Sequence, residues 1–94
     1  MTAGACKVTA IAADATWYVY IVRCTDQSLY TGIARDVGER IAQHNSGSGA
    51  AYTRARRPVT LVHQEPASDR GAALRREAAI KRLPVAQKRV LAGG

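Results

Sequence analysis

The run Trp17–Arg23, with the sequence WYVYIVR, constrains the fold more than any other part of this chain. Successive side chains of a β-strand point to opposite faces of its sheet, and here aromatic and β-branched residues occupy both faces. A strand of this kind is covered on both sides by other elements. We therefore predict that this run is an inner strand of a sheet, packed between two layers.

The remaining sequence predicts five further elements, which gives the order β-β-α-β-α-α. Turn residues 25–27 separate the first strand from the second, and the two should pair as an antiparallel hairpin. Asp36, followed three residues later by Glu39, has the pattern of a capping box at a helix start. The predicted elements after the first strand are a strand at 28–33, a helix from 36 to about 45, a strand at 59–64, a helix from about 68 to 83 and a last helix at 85–92.

Two segments lie outside these elements. Residues 1–15, rich in Ala and Thr, are interpreted as a loose N-terminal extension, which leaves residues 16–92 as a single domain. Residues 45–58 form a Gly-, Ser- and Arg-rich connection that is predicted to lack regular structure. Long connections of this kind in small domains are usually functional.

The formal net charge of +7 is unevenly distributed along the chain. Residues 1–53 hold four basic and four acidic residues, whereas residues 54–94 hold ten basic and three acidic ones. One-sided basicity is typical of proteins that bind a polyanion, most often nucleic acid. A soluble protein with a merely basic face is the alternative interpretation.

Cys6 and Cys24 are too few for a disulfide framework, and they lack the spacing of metal ligands. No segment is long and apolar enough to span a membrane, and the first fifteen residues lack the charged start and apolar stretch of a signal peptide. We therefore expect a cytoplasmic protein with no membrane partner.

The first predicted helix carries two polar side chains on its core-facing side. Val37, Arg40, Ile41 and His44 follow the spacing i, i+3, i+4 and i+7, so all four share one helical face. A solvated arginine would lie on the opposite face. The spacing predicts that Arg40 and His44 point toward the sheet.

Glu77 lies in the middle of the apolar face of the second long helix, together with Ala73 and Ile80. A carboxylate that points into a core is unfavourable unless it is paired or bound to a metal. The alternative to a metal ligand is an ion pair with Lys81 or with Arg40.

Two tyrosines can face the same side of the predicted hairpin. Tyr30 shares its face with Gly32, whose missing side chain leaves space beside the phenol. Tyr20 lies on the same face if each residue of the first strand pairs with a residue of the second such that their two numbers sum to an even value. Arg23 opposite Gln27, across a three-residue connection, is an example of such a pairing. Each tyrosine alone is more often a core residue than a catalytic one.

Taken in order, these residues resemble the GIY-YIG nuclease superfamily. The motifs are YVY at residues 18–20 and, ten residues later, YTG at residues 30–32, followed by Arg40, His44 and Glu77. The resemblance covers residues 17 to about 91. The overall form of this sequence is similar to the short stand-alone YhbQ-like group. One departure is Tyr18, which replaces the leading glycine of the first motif.

The resemblance implies an α+β fold, with a three-stranded antiparallel sheet flanked by helices, and metal-dependent hydrolysis of phosphodiester bonds. Glu77 would hold one Mg²⁺ or Mn²⁺ ion, and Arg40 would stabilise charge on the phosphorane-like transition state. Tyr20 or Tyr30 would accept a proton from water, with Tyr20 favoured, and this requires a phenol pKa well below about 10. His44 would assist proton transfer or, alternatively, bond to the backbone.

Many members of this family also carry a late asparagine near the site. The only asparagine in this chain is Asn45, and Gln87 is a weak substitute. The role of that asparagine is therefore left without a residue.

The expected substrate is nucleic acid, with DNA favoured over RNA, and single-stranded or flapped DNA favoured over intact duplex. The expected activity is a non-specific or structure-selective endonuclease in DNA repair, recombination or processing, acting as a monomer or weak dimer. Two alternatives stay open: a catalytically silent DNA- or RNA-binding module, and a small basic partner in a ribosomal or repair complex. The residues expected to contact the nucleic acid are Tyr52, Arg54, Arg56, Arg57, Lys81 and Lys88.

Overall fold

The computed structural model describes residues 17–93, which form one three-stranded antiparallel sheet flanked by helices. The predicted α+β class is confirmed, and a four-residue helix is added between the first long helix and the third strand. The predicted extension at residues 1–15 lies outside the described residues. The elements are β1 (Trp17–Arg23), β2 (Leu29–Ala34), α1 (Val37–Ser46), α2 (Ala51–Arg54), β3 (Thr60–Ala67), α3 (Arg70–Lys81) and α4 (Val85–Leu91).

The strand order is β2-β1-β3, so β1 is the inner strand, as predicted. Val19 and Ile21 are fully buried on one side, which we call the back face, where Ala73 and Ile80 of α3 pack against them. Tyr20 and Val22 are buried on the other side, the front face, which is covered by α1 through Val37 and Ile41. The apolar character of β1 on both alternating faces follows from this position between two helices.

The hairpin register places both tyrosines on the front face. Tyr20 pairs with Gly32 and Val22 with Tyr30, so the predicted even-sum parity is confirmed. The suggested three-residue connection is wrong, because Arg23 lies opposite Leu29 rather than Gln27. The turn is longer because Asp26 accepts hydrogen bonds from the backbone and hydroxyl of Ser28, and Gln27 adopts a left-handed conformation with φ of 71°.

The segment after α1 is ordered, contrary to the expectation of a structureless connection. Asn45 accepts a hydrogen bond from the Val59 backbone at 2.6 Å and donates one to the Val59 carbonyl at 3.1 Å. Arg56 pairs with Asp26 at 3.0 Å and its carbonyl accepts a bond from Thr25. These bonds, which the Gly-rich composition does not reveal, join the two ends of the segment to each other and its last part to the turn between β1 and β2.

No helix among residues 17–93 combines the length and the apolar character that crossing a membrane requires.

An ionic cluster lies on the back face, away from the tyrosines. Glu65 of β3 accepts hydrogen bonds from His63 at 2.8 Å and from Arg76 of α3 at 2.7 and 3.3 Å. The hydrogen bond from His63, together with Arg76, lowers the pKa of Glu65 to about 2. The cluster therefore links the third strand to α3 through an ionised carboxylate.

Replacing Glu65 with Gln should weaken the acid dependence of stability. Since the folded pKa of Glu65 is below its usual 4.5, ionised Glu65 stabilises the fold above that pH. The contribution is lost as the pH falls from about 4.5 to about 2. We expect the difference in free energy of unfolding between wild type and Glu65→Gln to shrink over this range in urea titrations. Glu39→Gln, at an exposed position, is the control, and parallel curves for wild type and Glu65→Gln would contradict the prediction.

Candidate functional site

Tyr20 is the centre of the front face. Its ring lies over Gly32, so that a Cβ built on Gly32 would come within 2.6 Å of the Tyr20 hydroxyl oxygen and 2.8 Å of Cζ. The space left by Gly32 is therefore filled by the Tyr20 ring of the neighbouring strand, and it is not open space beside the Tyr30 phenol as the sequence indicated. A side chain at position 32 would displace the hydroxyl from the site.

His44 is fully buried beneath the two tyrosines. Its Nε2 lies 2.8 Å from the Tyr20 hydroxyl, and its Nδ1 lies 2.7 Å from the hydroxyl of Thr53. Edge-to-face contacts with the rings of Tyr20 and Tyr30 have centroid distances of 5.9 and 5.4 Å. The partners of His44 are thus side chains, and the alternative of a histidine bonded to backbone is wrong.

Burial, and secondarily the charge of Arg40, lowers the pKa of His44 from its ordinary 6.5. At neutral pH the imidazole is therefore uncharged, with one nitrogen free to accept a proton.

Burial raises the pKa of Tyr20, and a hydrogen bond and the charge of Arg40 oppose this effect only partly. Tyr30 and Glu77 contribute smaller increases to the same pKa. Arg40 alone therefore does not give the low phenol pKa that the sequence analysis requires of a proton acceptor, because desolvation of the phenolate outweighs the nearby cation. Arg40, Tyr30 and Glu77 therefore all influence the ionisation of the Tyr20 hydroxyl.

Arg40 is half-buried at the rim of the site. Its Nη1 donates to the Gln43 side chain at 2.8 Å, and Arg40 lines a groove of about 260 Å³ with Asp36, Glu39 and Gln43. The groove is open to solvent, so the guanidinium can reach an anion there while its charge still acts on Tyr20 and His44.

The Glu77 side chain is 19% exposed, and its carboxylate pairs with Lys81 at 3.3 Å. The ion pair that the sequence left open as an alternative is therefore present. Lys81 is half-exposed and its Nζ lies 5.9 Å from the centroid of the Tyr30 ring. The Lys81 side chain therefore extends from α3 past the edge strand β2 to Tyr30 on the front face.

Glu77 is the acidic residue that the sequence predicts as a metal ligand. No group of three or more His, Cys, Asp or Glu residues within 17–93 is arranged to hold a metal ion. A single partly buried carboxylate does fit Mg²⁺ or Mn²⁺, because these hard ions keep several waters and take further oxygen ligands from substrate phosphates.

Tyr52 of α2 extends the aromatic cluster outward. Its ring stacks on Tyr30 with centroids 5.8 Å apart, and the Arg56 guanidinium lies 4.0 Å from its centroid. A base could stack on the face of Tyr52 that Arg56 covers only if Arg56 moved away. Its edge faces a groove of about 270 Å³ that is also lined by Gln27 and Lys88.

The arginines near α2 differ in what they contact. Arg56 is held by Asp26 and by the Tyr52 carbonyl, and Arg57 donates to the carbonyls of Arg54 and Asn45. Within residues 17–93, the Arg54 side chain has no hydrogen-bond or ion-pair partner. Arg54 is therefore the most available of the three for an external anion.

The contacts of two residues were not predicted from the sequence. Thr53 is fully buried and bonded to His44, and no periodicity or motif marks it. Asn45 joins α1 to β3 and is therefore structural. Gln87 is exposed on α4, so the place of the late asparagine is still without a residue.

A model of the GIY-YIG catalytic domain matches residues 16–89. The chain belongs to the GIY-YIG family. It is 54% identical over 76 residues to a UPF0213 protein of Desulfotalea psychrophila, covering 80% of this chain and 69% of that protein. It is 50% identical over 74 residues to a UPF0213 protein of Halobacterium salinarum, covering 79% of this chain and 96% of that protein.

A solved structure is also similar. The solution NMR structure of a UPF0213 protein from Bacillus halodurans is 43% identical, covers 82% of each chain and has a TM-score of 0.53. The family places the chain in a nuclease superfamily whose members generally use a divalent metal and act on nucleic acid. The names of the UPF0213 relatives state no activity.

Gly32→Ala should displace Tyr20 and destabilise the fold. The added methyl would overlap the phenol, and forced overpacking of this kind costs about 1–3 kcal/mol. Gly38→Ala is the control, because its Cβ would meet nothing nearer than Asp36 Oδ1 at 3.7 Å and alanine favours a helix. Urea denaturation should show the two variants changing stability in opposite directions. A neutral Gly32→Ala variant would contradict the described contact.

Proposed function

We propose that this protein is a metal-dependent endonuclease that hydrolyses DNA phosphodiester bonds at the front face. The observation that carries the proposal is the buried hydrogen bond between Tyr20 and His44, with Arg40 and Glu77 acting on the same hydroxyl. A purely structural tyrosine does not need a neutral, buried histidine as its partner. The catalytic residues of the proposal are Tyr20, Tyr30, Arg40, His44 and Glu77.

Tyr20 is the proposed proton acceptor. Its raised pKa keeps the phenol protonated at rest, so it must lose its own proton to His44 Nε2 as it takes one from water. The attacking water then forms a bond to phosphorus while the bond from phosphorus to the 3′ oxygen breaks. The leaving oxygen takes a proton from solvent. The lowered pKa of His44 keeps Nε2 free for this transfer at neutral pH.

Arg40 and Glu77 are the proposed electrostatic partners of the scissile phosphate. Arg40 can place its planar donors against phosphate oxygens in the open groove that it lines with Gln43. Glu77 would hold Mg²⁺ or Mn²⁺, which when bound polarises the phosphate and stabilises the leaving oxygen. Lys81 is exposed enough to leave Glu77 and contact a phosphate instead.

Tyr30 is proposed to position the water or phosphate. It packs against His44 on one side and against Tyr52 on the other, so its own ring is held in place by two aromatic neighbours.

The proposed substrate path passes α2 and α4. Arg54 and Lys88 flank Tyr52, and Arg56 and Arg57 are close by. These contacts are with phosphates and carry no sequence information. We therefore propose a non-specific or structure-selective enzyme that favours single-stranded or flapped DNA, is active as a monomer or weak dimer in the cytoplasm, and serves DNA repair, recombination or processing.

A catalytically silent DNA- or RNA-binding module is the second candidate. The observation that favours it is the ion pair of Glu77 with Lys81, which neutralises the carboxylate within the chain itself. A small basic partner of a ribosomal or repair complex would share the same surface without cutting.

Cleavage of labelled single-stranded, duplex and flapped DNA, with Mg²⁺ or Mn²⁺ and with chelator, tests the proposal. Glu77→Gln and Arg40→Ala should each reduce the cleavage rate by at least about 100-fold, as expected for loss of a main electrostatic stabiliser. Glu65→Gln on the back face and Arg75→Ala at an exposed position of α3 are the controls, and both should retain activity.

The outcomes separate the candidates. Cleavage that survives Glu77→Gln refutes the metal assignment. Strong binding without cleavage under any metal condition supports the silent module. Loss of activity in the controls as well would show that charge alone, and not position, is responsible.

The salt dependence of binding tests the proposed path. Arg54→Gln and Lys88→Gln should each flatten the slope of log binding constant against log salt by up to about one unit, since each removes one phosphate contact. Arg75→Gln, outside the path, should leave the slope unchanged. Fluorescence anisotropy with a labelled single strand measures all four proteins, and equal slopes would remove α2 and α4 from the contact surface.

A further inference from the structure

Thr53 is a fully buried residue of α2 whose hydroxyl makes two hydrogen bonds. Its oxygen lies 2.7 Å from Nδ1 of His44 and 3.0 Å from the carbonyl oxygen of Ala50. The backbone passes close to the imidazole here, because a Cβ built on Gly49 would overlap the ring and lie 2.8 Å from the His44 Cα. The segment is thus shaped around His44.

The direction of these hydrogen bonds follows from simple counting. Both hydrogen bonds of the Thr53 hydroxyl form together only when its single proton points to Ala50, because a carbonyl oxygen can only accept. The Thr53 oxygen must then accept from His44, which places a proton on Nδ1. A neutral imidazole has one N–H, so Nε2 carries the lone pair and accepts from the Tyr20 hydroxyl.

We propose that Thr53 is a positioning residue of the site: its hydroxyl keeps the proton of His44 on Nδ1 and so keeps Nε2 open to the proton of Tyr20. In the other tautomer, an N–H at Nε2 would point at the Tyr20 oxygen, and the proton could not be passed on. The catalytic consequence rests on the proposed nuclease function, whereas the tautomer itself does not.

The position of Thr53 also couples the site to the substrate path. Its neighbours Tyr52 and Arg54 are exposed on the same four-residue helix, while Thr53 points inward. Contacts that hold α2 in place therefore also hold the hydrogen bond that sets the state of His44.

Nitrogen-15 NMR of histidine-labelled protein, at a pH above 6.5, tests the tautomer directly. The chain has two histidines, and His63→Gln assigns the remaining signals to His44. We expect a protonated Nδ1 and an unprotonated Nε2 in the wild type. The opposite tautomer in the wild type overturns the proposal, whether or not any variant folds.

Thr53→Val and Thr53→Ser separate the hydroxyl from the shape of the side chain. The valine variant should populate the Nε2–H tautomer and lower kcat for cleavage by about 100-fold, the lower range for loss of an aligned proton acceptor, with KM unchanged. The serine variant keeps the hydroxyl and should retain both the tautomer and kcat within a few-fold.

Each outcome decides one of the two proposals. A valine variant with the wild-type tautomer and rate overturns the role of Thr53. A serine variant that is as impaired as the valine variant overturns it too, because the hydroxyl would not be the cause. If the wild type cuts no nucleic acid, the nuclease proposal fails, while the NMR result still establishes or refutes the role of Thr53 in setting the His44 tautomer.

Discussion

The hydrogen bond between the Tyr20 hydroxyl and His44 joins the inner strand to the helix that covers the front face. Both groups are buried, and a buried polar group left without its partner costs about 1–3 kcal/mol. The neighbouring structure is arranged around this requirement. Gly32 gives room to the phenol, Gly49 gives room to the imidazole, and Thr53 provides the partner of its second nitrogen. The short helix α2 is consequently part of the core of the site.

The back face of the sheet contributes mainly to stability, and the front face holds the candidate site. The back face is apolar around β1 and α3, with its ionic cluster of Glu65, His63 and Arg76 away from the tyrosines. The front face contains polar groups in a desolvated setting, where burial raises the pKa of Tyr20 and lowers that of His44. Both pKa shifts favour the neutral forms of Tyr20 and His44, so neither side chain is charged before substrate binds. Transfer of the proton between them therefore depends on the groups that bind beside them.

The basic residues differ in what they contact, although each contributes equally to the net charge. Arg76 is paired with Glu65, Arg56 with Asp26, and Lys81 with Glu77. Arg54, by contrast, faces solvent without a partner within residues 17–93. The pair between Lys81 and Glu77 has particular weight, since a phosphate that attracts Lys81 would release the carboxylate beside the tyrosines. In the proposed function, substrate binding would in this way prepare the metal ligand.

Local patterns in the sequence determined the inner strand, the order of the six elements other than α2, and the inward direction of His44. These features depend on periodicities of two and 3.6 residues, which are set by neighbours in the chain. The presence of α2, the true hairpin connection, the direction of the Tyr20 pKa shift and the role of Thr53 were decided by tertiary structure. Each of these depends on groups far apart in sequence, such as Asn45 with Val59 or Thr53 with His44, whose approach no local pattern encodes. Desolvation is likewise a property of the folded packing, and it raises the pKa of Tyr20 because the cost of burying a phenolate exceeds the attraction of Arg40.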